Sequence, residues 1–123
     1  MVGNEVPQID LLPETLRPDW FVYPEEFLRL ASTGLAKFPP WRLLEGRFAA
    51  SRMQALRQRF PTRELVPFAV RLDCDDVACW ERGKSGVTVI HDFASPGWEN
   101  RPGYDTFWDW FRSAIEDFIE FES

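Results

Sequence analysis

Between Glu64 and Asp92 the sequence packs three strand-like runs into fewer than thirty residues: Leu65 to Leu72, Val77 to Glu81 and Val87 to Phe93. Asp73-Cys74-Asp75-Asp76 separates the first pair and Gly83-Lys84-Ser85-Gly86 the second, and both stretches carry the residue types that tight reversals require. Connections this short join antiparallel neighbours, so the segment reads as a meander around which the rest of the chain must pack.

The remaining residues supply that cover. At 123 residues the chain reads as one domain, with 1–23 as an irregular N-terminal arm and 24–119 as the core. Eleven Phe and six Trp give a core-forming load that disordered chains lack. The arm alternates proline with acids, and Leu11, Leu12, Leu16, Trp20 and Phe21 are its expected docking residues. Pro24 followed by Glu25 and Glu26 starts a short helix that Gly34 stops. Pro39-Pro40 forces an extended approach to Trp41-Arg42-Leu43-Leu44, expected as an edge strand.

From Gly46 to Phe60, Ala49, Met53, Leu56 and Phe60 fall on one stripe of an amphipathic helix. Arg47, Arg52, Arg57, Arg59 and Arg63 accompany it with no acid between them, which reads as a solvated surface or else a docking site for an acidic group. Residues 94–103 read as a loop holding Trp98-Glu99-Asn100 between two Pro-Gly turns. The last helix is expected over Thr106 to about Ile119, capped by Thr106 with Asp109. It should bury Phe107, Phe111, Ala114 and Phe118, with Trp108, Ile115 and Ile119 beside them.

A net charge of −6 and a pI near 4.8 argue against nucleic acid as the main partner and favour a basic protein. Neither a signal-peptide pattern nor a membrane-spanning apolar run is present in the sequence, which is read as cytoplasmic, with no membrane partner. In the expected register Cys79 lies opposite a residue near Val70 rather than opposite Cys74, so no disulfide is expected.

The chemical motifs are sparse. Ala78-Cys79-Trp80-Glu81-Arg82-Gly83-Lys84-Ser85 approaches the phosphate-cradling loop, but Ala78 replaces the first glycine and a strand follows Ser85 where a helix is needed, so it reads as a hairpin turn. His91 is the only histidine, and it points away from adjacent Asp92 along a strand. A small hydrolase or metal-dependent enzyme built on His91, Cys79 and nearby aspartates is the alternative to a binding protein. Cys74, Cys79, His91 and the three aspartates lack the spacing of a structural zinc site, and neither a metal nor another cofactor is expected.

Leu65-Val66-Pro67-Phe68-Ala69, then Asp75-Asp76-Val77-Ala78-Cys79, then Val89-Ile90-His91-Asp92, then Phe107-Trp108-Asp109-Trp110-Phe111 resemble in order the motifs of the SUKH superfamily, named in part for a yeast cell-wall assembly regulator. Pro24-Glu25-Glu26-Phe27-Leu28 with Thr33-Gly34 resembles its upstream helix, which usually ends in Asn-Gly. The resemblance implies an α+β fold, a mainly antiparallel sheet with helices packed on one face. It also implies no enzymatic activity: bacterial members are taken as immunity proteins that neutralise toxins by binding them, and eukaryotic relatives as regulatory adaptors. Such a protein would act by covering a basic toxin domain, and no catalytic residues carry over. The expected partner surface is the exposed loop Trp98, Glu99, Asn100 and Arg101, with Asp75, Asp76 and Asp92 at the sheet end beside it.

Overall fold

The computed structural model describes residues 6–121. Six antiparallel strands follow in spatial order as in sequence: β1 (Lys37–Phe38), β2 (Trp41–Leu43), β3 (Leu65–Arg71), β4 (Asp76–Glu81), β5 (Val87–His91) and β6 (Asn100–Tyr104). Three helices complete the α+β fold: α1 (Glu25–Ser32), α2 (Gly46–Arg59) and α3 (Phe107–Glu120). The expected meander is β3, β4 and β5, with Val70 opposite Val77 and Val77 opposite Ile90.

Side chains alternate across a strand, and that alternation sorts the helices. Trp80 faces α1 and α3. It stacks on Phe68 with ring centroids 4.3 Å apart, meets Phe27 of α1 edge-on at 5.2 Å, and Phe68 meets Trp110 of α3 at 4.8 Å. Each large ring buried in this cluster contributes roughly 1.5–3 kcal/mol by loss of water-exposed apolar surface. Cys79, Val77 and Ile90 point the other way and are equally buried. The cover on that side is α2: its Phe48 ring lies under Arg42 of β2, and its arginines reach the residue after β5. A one-sided helical layer therefore describes α1 and α3, while α2 covers the opposite face. The reason is in the meander itself, since β3 and β4 are apolar at consecutive positions and both their faces need burying.

Several local expectations change. β2 is not an edge strand: Pro39-Pro40 forms the bend of a small hairpin, and β1 takes the edge. Cys79 sits opposite Pro67, three residues from the expected neighbour: the reversal that pairs Val70 with Val77 sets two of the three, and the bulge between Pro67 and Ala69 adds the third. Cys74 is exposed, Cys79 is buried and both are free thiols. The arm docks through Ile9, Leu12, Phe21 and Tyr23, and the Tyr23 hydroxyl accepts from the Leu12 N–H at 2.9 Å, but Leu16 points out, 48% exposed. Residues 100–103, expected as loop, belong with Tyr104 to edge strand β6 despite Pro102 and Gly103. In α3 the Thr106 hydroxyl accepts from the Asp109 N–H at 3.0 Å as the cap requires. The buried stripe is Phe107, Trp110 and Ala114, with Phe111 half-buried, and Phe118 and Ile119 are exposed.

Candidate binding surface

The segment between β5 and β6 starts and ends on a buried carboxylate. Asp92 is 0% exposed. Arg59 meets it with two parallel hydrogen bonds of 2.5 Å, Arg52 donates a third at 2.8 Å, and the Phe93 N–H donates at 3.0 Å. Glu99 is also buried, accepting from Arg63 at 2.8 Å and from the Gly97 N–H at 2.6 Å. Arg63 grips Glu81 of β4 in the same fork, at 2.7 and 3.0 Å. These contacts join α2 and the turn after it to both ends of the loop.

Burial by itself would raise the carboxyl pKa of Asp92, but the hydrogen bonds from Arg59 and Arg52 outweigh it and hold the group below the usual range. Glu99 follows the same logic, with burial opposed by backbone amides and Arg63, and so does Glu81 between Arg63 and Lys84. All three remain charged at neutral pH, which a buried carboxylate needs partners to do.

Between the two clamps the loop turns its large side chains outward. Phe93 takes the left-handed backbone conformation, φ 69°, and its ring is 63% exposed with the Arg59 guanidinium 4.2 Å from the centroid. Trp98 is 79% exposed, and the loop beneath it is closed by the Trp98 N–H donating to the Ser95 carbonyl at 2.9 Å. A non-glycine residue at positive φ is uncommon and is kept only where surroundings over-determine it. Here the Asp92 carboxylate bonded to the Phe93 N–H supplies that constraint.

The expected site residues thus divide. Trp98, Asp75 and Arg101 are exposed, and Asp76 is half-buried, bonded to His91 Nδ1 at 2.9 Å with Arg101 Nε 3.6 Å away. The Asp92 N–H donates to the Asp75 carbonyl at 2.8 Å, so these groups do gather at one end of the sheet. Asp92 and Glu99, expected to attract a partner, are instead internal struts, because arginines distant in sequence reach them. The same contacts correct the reading of the arginine helix: Arg52, Arg59 and Arg63 hold acids of their own chain. Phe93 was missed as a surface aromatic, since in sequence it looks like the last residue of a strand.

His91 and Cys79 point to opposite faces of the sheet and do not form a nucleophile–base pair. Burial also pushes the Cys79 thiol far up, away from the reactive thiolate. Residues 83–86 are a hairpin turn with Gly83 and Gly86 at positive φ, as expected. Among the described residues no group of three or more His, Cys, Asp or Glu is arranged to hold a metal ion, and no helix is long and apolar enough to cross a membrane. No protein-family model matches the chain, and neither curated proteins nor solved structures give a match.

Proposed function

We propose that this chain is an intracellular, non-enzymatic protein-binding domain of the SUKH type that neutralises a toxin by covering its active site. The observation that carries the reading is the loop of residues 93–98, which displays Trp98 and Phe93 to solvent while buried ion pairs fix both of its ends. Tryptophan is a frequent interface hot spot, and a pre-ordered loop loses little conformational freedom on binding. Stoichiometric inhibition needs that kind of rigid apolar anchor rather than acid–base chemistry. Asp75 and the overall negative charge suit a basic toxin domain.

The test is protection. The chain is co-produced with the toxic product of a neighbouring reading frame, and growth is compared with the Trp98→Ala variant. Trp98 makes few intramolecular contacts, so the variant should melt with the parent yet lose protection and bind by at least about 2 kcal/mol less. A variant that melts early while its folded fraction still protects would assign Trp98 to the fold and remove the proposal.

A further inference from the structure

Residues 46–63 contain five arginines and no acid, whereas the rest of the chain holds nine basic and all twenty acidic residues, a balance of −11. Arg52, Arg59 and Arg63 are spent on Asp92, Glu81 and Glu99, which leaves two of the five. The outer side of α2 presents Arg47 and Arg57, exposed and without an acid partner among the described residues, and a polar row of Ser51, Gln54 and Gln58. Leu16 of the arm closes this row into a groove of about 460 Å³ floored by Ala50 and Met53. Beside Arg47, outside the groove, the exposed Phe48 ring lies near two guanidiniums, Arg47 at 5.2 Å and Arg42 at 5.8 Å.

We infer that this groove docks an acidic protein segment carrying an apolar side chain. Carboxylates of such a segment would reach Arg47 and Arg57, the amides of Gln54 and Gln58 would add neutral hydrogen bonds, and the apolar side chain would rest on Leu16. Arginines already spent on Asp92 cannot serve; the two that face the groove have nothing to neutralise them, and exposed cations next to exposed apolar groups mark a surface built to be covered. Nucleic acid fits less well, because it has no aliphatic side chain to rest on Leu16 and carries a phosphate at every residue against two free arginines. The surface is separate from the loop that carries Trp98, so it stands or falls independently of the function proposed above.

Calorimetry with a synthetic ten-residue peptide, Glu-rich with one central Leu, tests the inference against its Gln-for-Glu counterpart and a single-stranded decanucleotide. The Glu peptide should bind, weaken as salt rises, and weaken about tenfold or more with Arg47→Glu/Arg57→Glu, since the reversal removes two attractive contacts and adds repulsion. Leu16→Ser should weaken it further, and Trp98→Ala should leave it unchanged. Both charged positions are exposed, so an unchanged melting curve checks the fold of the double variant. Equal affinity for the Gln peptide, indifference to the double reversal, absence of binding, or tighter binding of the oligonucleotide would each overturn the inference.

Discussion

Asp92 shows how much a single residue can hide from a linear reading. Its sequence neighbours suggested a surface charge at a strand end; what buries it is Arg52 and Arg59, 40 and 33 positions away. No local pattern announces such a pairing, although five arginines without an intervening acid were a legible hint that their partners lay elsewhere. Removing one member of a buried ion pair leaves the others uncompensated. Asp92→Asn should therefore cost about 2–4 kcal/mol, below the usual range for full burial because both arginines keep roughly 30% side-chain exposure and can rehydrate. The pH dependence has a definite sign. Asp92, Glu81 and Glu99 all titrate lower in the folded protein, so their stabilisation is complete above the ordinary carboxyl range near pH 4 and is lost as pH falls through the lower folded values. Urea unfolding at pH 7, 5 and 3 should show stability falling mainly in the last interval, with a smaller fall for Asp92→Asn. An equal fall in both proteins would mean that Asp92 is not part of the acid response.

At the scale of elements, existence was easier to read than orientation. All three helices and the meander followed from periodicity, capping and turn residues. The facing of α3 did not, because Phe107, Trp108, Trp110, Phe111, Ala114, Ile115, Phe118 and Ile119 spread over about half its circumference, an arc wide enough for the helix to roll within it. Tertiary packing selects Trp110, which is wholly buried against Phe68 and Trp41. Trp110→Ala should cost about 3–5 kcal/mol and Phe111→Ala less, measured as the difference in unfolding free energy. The reverse order would show the helix rotated. Strand β6 was missed because Pro102-Gly103 spells a turn in isolation, yet an edge strand tolerates proline, and Gly103 lets the backbone approach Val87, whose carbonyl lies 2.7 Å from where a Cβ would sit. Gly86 is tighter still: a Cβ there would lie 2.1 Å from the Tyr104 carbonyl oxygen, on top of a φ of 77°. Gly83 has a similar φ with open space around it. Thermal melts should place Gly86→Ala well below Gly83→Ala, the latter costing about 1–2 kcal/mol for backbone conformation alone. Equal melting points would contradict the close approach of the Tyr104–Asp105 backbone, at the end of β6, to the 83–86 turn.

For the whole molecule, net charge was legible and its arrangement was not. The −6 total predicted a basic partner, but two of the acids assigned to that task are neutralised inside the protein, and the arginines left over form a face of the opposite sign. Sequence gives the charges; only the fold decides which remain free. The ends of the sheet have a consequence of another kind. One outer strand, β1, is two residues long, and the other, β6, carries a proline that removes a backbone donor midway along its length. A row of unpaired amides and carbonyls is a template on which another chain can add a strand, and short or proline-broken borders deny it that template. A protein with so many aromatic residues would otherwise be a hazard at high concentration. Its sheet ends in two borders that resist growth into fibres, so Pro102→Val, which restores the missing donor, should shorten the lag before thioflavin-positive aggregates form, and an unchanged lag would show that β6 is guarded by something else.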